Sequence, residues 1–378
     1  MTTMTRTSWY VRPRAAERDR PSVPSVPHDA VAAFHRTLPG YAPTPLVELP
    51  PLAAELGVRR LFVKDESSRL GLPAFKMLGA SWGAFRAVSE HHGLAEPTLE
   101  RLRERLRGER PVRLVTATEG NHGRAVAAMA RLLGARARVY VPHGVHPVAV
   151  AAIEGEGASV TEVAGTYEEA VQLAAAASAP DTLLVQDTSV PGHEQVPQWI
   201  VDGYSTLFTE IDDELSVRGV EPPSLVAVPV GVGSLAQAAV AHYRAGRTPS
   251  TLLTVEPDAA PCVLASLTAG RPTTIETSAT IMSGLHCAAP SALAWPHLRD
   301  GVDAAVSVSD GAAARAARDL AALGVPAGPC GAASLAGVRA ALAPGRRDAL
   351  PDGHDRTVVL LATEGASANP ALAADAPH

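Results

Sequence analysis

From about Asp29 onward the chain alternates two textures. Short apolar, β-branched runs recur: "LFV" (61–63), "VRLVT" (112–116), "RVYV" (138–141), "SVTEV" (159–163), "LLV" (183–185), "LVAVPV" (225–230), "LLTVE" (252–256), "AAVSV" (304–308) and "TVVLLA" (357–362). Between them lie alanine-rich stretches with helical spacing, at Arg124–Leu133, Tyr167–Ala177, Pro197–Leu215, Ala236–Ala245 and Gly311–Ala322. Strands alternating with helices predict βαβ units, an α/β fold and parallel sheet. The runs are continuously apolar, as strands covered on both faces should be. Ser309-Asp310 and Pro197 sit where helices should begin, and Gly219, Gly246 and Gly324 where they should end. "LERLRERLRGER" (99–110) reads as a solvated surface helix.

Composition narrows the class of partner. A length of 378 residues suggests roughly two or three domains. A hydrophobic share of 46% with 19% charged residues is that of a soluble globular chain. The net charge of −6 argues against nucleic acid or an anionic membrane as partner. No apolar run approaches the ~18 residues of a membrane span. Cys262, Cys287 and Cys330 are far apart in sequence, so neither a disulfide framework nor a metal site is expected. A reducing, cytoplasmic setting fits. The first 30 residues are rich in arginine and proline and lack the apolar core of a secretory signal. A mobile arm is expected there.

In open α/β sheets, ligands bind beyond the carboxyl ends of strands, so the loops after the strands are where chemistry is expected. In "VAVPVGVGSLAQAAVAHY" a strand runs into Gly231-Val232-Gly233-Ser234-Leu235 and then a helix. Small residues and a helix N-terminus suit a phosphate. The spacing is neither a dinucleotide fingerprint nor a Walker loop, which leaves a single phosphate monoester or a ligand-free turn. In "VTATEGNHGRAVAAMA", Asn121 can donate to a phenolate oxygen or cap the helix. Glu119 can move protons or answer the helix dipole. His122 reads as a packed structural histidine. Gln186 and Asp187 follow the strand 183–185, with Asp187 an acid, a base or a turn residue. At the end of "TVVLLATEG", Thr363 offers a hydroxyl to a ring nitrogen or makes an ordinary turn.

The use of lysine is the strongest single signal. The chain has 33 lysines and arginines together, of which only Lys64 and Lys76 are lysine. Lys64, in "VKDES", has acidic neighbours and reads as a salt-bridged structural residue. Lys76 stands between Phe75 and Met77. Burial among apolar side chains disfavours a charged amine and leaves a nucleophile toward carbonyls. Arginine cannot form a usable imine, so lysine is kept where only an amine serves.

"AFKMLGAS", "EGNHGR" and "GVGS" resemble the lysine, asparagine and phosphate motifs of fold-type II pyridoxal-phosphate enzymes. With "FHRTLPGYAPTPLVEL", "VKDESSRLGLPAFKMLG", "VQDTS", "VEPD", "TIMSGL" and "TEG", the chain resembles the diaminopropionate ammonia-lyase family in order from Phe34 to Gly365. The resemblance implies two domains, each with a mostly parallel open sheet flanked by helices. Residues 31–78 and 190–378 would form the larger, cofactor-binding domain, and 79–189 an inserted smaller one. It implies pyridoxal 5′-phosphate held by Lys76 as an imine, flanked by Phe75, with Asn121 on its 3-hydroxyl. Gly231, Val232, Gly233, Ser234 and Leu235 would bind the phosphate and Thr363 the ring nitrogen. Asp187 and Glu119 would share acid–base work. A homodimer acting on a small amino acid by β-elimination, with release of ammonia, is the implied assembly and activity.

Three departures stand out. Glu119 replaces the family's aspartate, moving a carboxylate by roughly 1.5 Å. Ala362 replaces the serine that usually precedes "TEG", and "GPCG" at Gly328–Gly331 replaces "GESG". A serine/threonine-type dehydratase or a β-replacement synthase is the alternative within the fold. A non-catalytic binding protein is the alternative outside it, and the incomplete glycine fingerprint disfavours a nicotinamide oxidoreductase.

Overall fold

The computed structural model describes residues 8–13, 28–95, 97–108, 112–177, 179–189, 191–245, 250–350 and 356–368. In chain order the strands are β1 (Trp9–Val11), β2 (Leu46–Glu48), β3 (Arg60–Asp65), β4 (Arg113–Ala117), β5 (Arg136–Pro142), β6 (Ser159–Val163), β7 (Thr182–Leu184), β8 (Leu225–Pro229), β9 (Thr251–Pro257), β10 (Ala304–Val308) and β11 (Thr357–Ala362). They form two sheets, one in each of two compact units. Each of the nine runs read as strands from sequence coincides with one of these elements, with Val112, Val185 and Val230 falling one residue outside. Most of the stretch 1–30, and Gly246, lie outside the described residues.

One unit holds Pro43–Ser67 and Phe208–Ala366 together with β1. Its seven-stranded sheet has the order β1-β10-β9-β8-β11-β3-β2. The inner strands β10, β9, β8, β11 and β3 run parallel. The two edges, β1 and β2, are antiparallel three-residue strands. Their brevity gives no sequence periodicity, which is why no pattern announced them. Every residue of β8, β9 and β11 is buried. Leu225, Val255, Val306 and Leu360 share one core with Leu335 and Val338 of the helix Pro329–Ala341. That helix lies close to the sheet: a Cβ on Gly337 would sit 2.3 Å from Val255 Cγ2.

Lys64 is fully buried in this unit and is salt-bridged, as its sequence context suggests, to a carboxylate remote in sequence. Its Nζ lies 2.5 Å from Glu210 Oε2 and 2.8 Å from Thr44 O. Side chains alternate along β3, so neighbouring Asp65 points away. Glu66 accepts from the Thr44 hydroxyl at 2.6 Å.

The other unit holds Pro27–Ala42 and Ser68–Leu207. Its four-stranded sheet has the order β6-β5-β4-β7, all parallel. The helix expected over Pro197–Leu215 is in fact two, Gln195–Gly203 and Ser205–Val217, interrupted at Tyr204. The break falls where Gly203 meets the neighbouring backbone: a Cβ there would lie 2.6 Å from Leu78 O. Continuous helical spacing in the sequence does not register such a contact. Among the described residues, no helix is long and apolar enough to cross a membrane.

Candidate active site

In the four-stranded sheet β4 and β7 are neighbours, in register from Arg113↔Thr182 to Val115↔Leu184. Being parallel, they release their following segments at one edge. Gln186 fastens the two segments together. Its Oε1 accepts from the Ala117 amide at 2.8 Å and the Thr116 hydroxyl at 3.0 Å, while its Nε2 donates to Ala117 O at 3.2 Å. The side chain thus prolongs the ladder past β7, and its Nε2 lies 3.3 Å from Asp187 Oδ1.

Across from Asp187, Thr118 organises the turn. Its hydroxyl accepts from the amides of Gly120 at 2.9 Å and Gly123 at 3.1 Å. Thr118, rather than Asn121, thereby satisfies amides at the start of the helix Asn121–Leu133. Asn121 is the first residue of that helix, and both it and Glu119 are half-buried. Gly123 is there for close approach, since a Cβ would sit 2.3 Å from Thr118 Cγ2.

Lys76 opens the helix Lys76–His91, and its Nζ donates to Asp187 Oδ2 at 2.6 Å. The Phe75 ring centroid is 5.2 Å from that nitrogen and the Tyr204 ring centroid 6.0 Å. The two rings are tilted against each other at 4.8 Å. The expectation of an amine among purely apolar neighbours therefore needs correcting: a carboxylate 111 positions away is its nearest partner. The helix is held by a close crossing with Gln195–Gly203. A Cβ on Gly79 would lie 2.4 Å from Tyr204 Cε1, and one on Gly83 2.6 Å from Ile200 Cγ1.

Burial alone would raise the Asp187 carboxyl. The charge of His122 when it is protonated, and the charge and hydrogen bond of Lys76, outweigh burial and hold the carboxyl at about 2. His122 is itself buried, which lowers its pKa and favours the neutral ring. Its Nε2 lies 2.9 Å from Val185 O and its Nδ1 3.8 Å from Asp187 Oδ2. It is packed, as its sequence context suggests, but packed against the acidic group of the site. Burial also keeps the Tyr204 phenol protonated. Tyr204 carries no sequence signal for a place beside Lys76; only the glycines of the crossing hint at a tight neighbour.

The remaining candidates lie in the seven-stranded sheet. β8 and β11 are parallel neighbours, in register from Leu225↔Val358 to Ala227↔Leu360. The chain leaves β8 toward β9, on the side away from β11. Gly231–Leu235 follows β8 and leads into the helix Ser234–Ala245. That helix's first ladder bond runs from the Gln237 amide to Gly233 O at 2.8 Å. The amides of Ser234, Leu235 and Ala236 precede the ladder and are not spent on it. Gly233 has φ +105°, and a Cβ there would lie 2.7 Å from Leu298 Cδ1. A Cβ on Gly231 would lie 3.0 Å from Cys287 Sγ. Glycine at both positions thus lets the loop pack closely on Leu298 and Cys287.

At the end of β11, Thr363 is buried. Gly331 abuts it, since a Cβ there would sit 2.8 Å from Thr363 N. The Gly328–Gly331 segment is fastened to the same turn by the Gly328 amide on Glu364 O at 2.9 Å and the Cys330 amide on Glu364 Oε1 at 3.3 Å.

An amine paired with an ionised carboxylate in one unit, and a glycine loop opening a helix on the parallel sheet of the other, suit the class of pyridoxal-phosphate enzymes of fold type II. The profile of the family described as pyridoxal-phosphate dependent enzyme matches residues 37–364. A diaminopropionate ammonia-lyase of Salmonella typhimurium is 35% identical over 301 residues, covering 76% of this chain and 74% of its own. The chain belongs to the diaminopropionate ammonia-lyase family within the pyridoxal-phosphate dependent enzymes. The Escherichia coli diaminopropionate ammonia-lyase, solved in complex with an aminoacrylate-PLP azomethine reaction intermediate, superposes with a TM-score of 0.83 at 31% identity, covering 96% of each chain. A threonine deaminase of T.th. superposes less well, with a TM-score of 0.71 at 29% identity, over 90% of this chain and 98% of its own.

The residues present fit pyridoxal phosphate. The cradle offers backbone amides ahead of a helix where a phosphate would sit. Lys76 is a primary amine with a fifth of its side chain exposed, open to an aldehyde. Thr363 brings a hydroxyl to the strand end at which Ala362 has none.

Proposed function

We propose that this chain catalyses β-elimination from a small amino acid such as 2,3-diaminopropionate, releasing pyruvate and ammonia. The observation that carries this reading is the 2.6 Å contact between Lys76 Nζ and the ionised, buried Asp187 Oδ2. Such a pair can both take up and return a proton within one site. When bound, pyridoxal phosphate supplies an electron sink for charge developing at the substrate's Cα.

In this reading the chain's own groups divide the remaining work. The amides of Gly231, Val232, Gly233, Ser234 and Leu235 would hold the phosphate. Asn121 would donate to the ring's phenolate oxygen, Thr363 would address the ring nitrogen and Phe75 would flank the ring. Lys76 Nζ takes the α-proton. Asp187 attracts a cationic β-amine and delivers the proton with which that nitrogen departs. Glu119 is a second carboxylate on the adjoining turn. We read the working form as a homodimer in the cytoplasm; a solution mass near twice 39.1 kDa tests the assembly, and cell fractionation tests the location.

The decisive experiment is a panel of amino acids, including both enantiomers of diaminopropionate, assayed for ammonia and keto acid. Diaminopropionate should yield pyruvate, with ammonia from both nitrogens. Release from serine or threonine alone would make the chain a dehydratase. Capture of added nucleophiles in place of pyruvate would make it a β-replacement synthase. Lys76→Ala should abolish both cofactor absorbance and turnover, and lyase activity surviving in that variant would overturn the assignment.

A further inference from the structure

His122 does more than fill space. A carbonyl oxygen can only accept, so the 2.9 Å contact between His122 Nε2 and Val185 O places the ring hydrogen on Nε2. Nδ1 of the neutral ring is then a lone pair. It is buried, has no hydrogen-bond partner, and lies 3.8 Å from Asp187 Oδ2. The two carboxylate oxygens of Asp187 differ accordingly. Oδ1 faces the donor Gln186 Nε2 at 3.3 Å, which disfavours a proton there. Oδ2 lies between Lys76 Nζ at 2.6 Å and the His122 lone pair. The charged and titratable groups facing His122 are Asp187 and Lys76, and the Tyr204 phenol faces that same pair.

We propose that His122 is a positioning residue for Asp187: its Nδ1 lone pair accepts the hydrogen bond of Asp187 once Oδ2 has taken a proton from Lys76. In that transfer one N–H bond of the Lys76 ammonium breaks and one O–H bond forms on Oδ2. A neutral amine and a neutral acid replace the ion pair, with no other bond changed. The O–H can then point at the unpartnered His122 Nδ1 lone pair. The ion pair remains the main form at neutral pH, and His122 raises the small fraction in which Lys76 is a free amine able to react with an aldehyde. The inference rests on the proposed lyase reading for its role in turnover, but not for its effect on Lys76.

Two substitutions separate this role from packing. His122→Gln can keep a donor toward Val185 O while removing the Nδ1 acceptor. His122→Asn can keep an acceptor toward Asp187 while losing the Val185 bond. The readout is the rate at which the cofactor-free protein takes up pyridoxal phosphate, followed by borohydride and peptide mapping at Lys76, across pH. His122→Gln should slow uptake at pH 7 about tenfold and move its pH dependence upward by about one unit, with His122→Asn restoring part of the rate. Parent-like behaviour in His122→Gln, or equal losses in both variants, overturns the proposal. Nitrogen-15 spectra of the parent protein add a test that needs no variant to fold. They should show the Nε2–H tautomer for His122 at pH 7, and an imidazolium or an Nδ1–H ring refutes the assignment. Should no amino acid be cleaved while the His122 dependence of Lys76 persists, only the lyase reading fails.

Discussion

Replacing Gly233 by alanine tests the phosphate cradle, because its two penalties can be worked out from the backbone. The residue sits at φ +105°, where an L side chain is strained, at roughly 1–2 kcal/mol. The new Cβ would also lie 2.7 Å from Leu298 Cδ1 and 3.2 Å from Ala294 Cβ. Overpacking of this kind costs about 1–3 kcal/mol. The cofactor-free loop can relax, whereas a bound phosphate requires the amides in their original places. The strain therefore reappears as lost affinity, at least about 2 kcal/mol, or roughly 30-fold at 1.4 kcal/mol per decade. The assay is an absorbance titration of the apo-protein with pyridoxal phosphate and, separately, with pyridoxal, which lacks the phosphate. Only the first affinity should fall. Adding Leu298→Ala should recover part of the steric share and none of the backbone share. Unchanged affinity for pyridoxal phosphate in Gly233→Ala would refute the cradle. An equal loss for both ligands would show that the loop holds something other than phosphate.

Asp187→Asn should lower the elimination rate far more than cofactor affinity, as kcat and equilibrium titration can show. The same variant has a signed pH dependence. The Asp187 carboxyl is depressed from 3.8 to about 2, so its stabilisation is complete above the unfolded value and is lost as pH falls toward the folded one. At 1.36 kcal/mol per pH unit that is about 2 kcal/mol. Denaturation from pH 7 to pH 2 should find a constant gap between parent and variant above about pH 4 that closes as pH falls toward 2; a gap independent of pH would contradict the ionised pairing. Gly79→Ala sets a helix gain of about 1 kcal/mol against a methyl 2.4 Å from Tyr204 Cε1. Overpacking should win, lowering the melting temperature and slowing cofactor uptake at Lys76, and a stabilised protein would show that Tyr204 yields freely.

The parts of the molecule that the sequence made legible are those built from local, periodic information. Buried parallel strands must be apolar along their whole length, so the nine runs stood out. The three-residue edge strands at Trp9 and Leu46 have no such run and were silent. The loops Glu119–Gly123 and Gly231–Leu235 were legible because glycine is needed where a backbone must approach closely or adopt a positive φ. The partner of Lys76 was not. Asp187 is set against it by the β4–β7 pairing and the Gln186 clasp, both made by residues remote in sequence.

That long-range step changes what the lysine means. Composition argues for an amine kept free by apolar surroundings, and Phe75 and Tyr204 do enclose it. A carboxylate held at about 2 argues for an ion pair. The two demands are compatible only if the pair can exchange its proton without leaving a buried group unsatisfied. On Asp187 the oxygen that must receive it is Oδ2, since Oδ1 already faces an amide donor. The lone pair beside Oδ2 belongs to His122. In the proposal made for His122, the buried imidazole is thus a third member of the site beside the lysine and the aspartate.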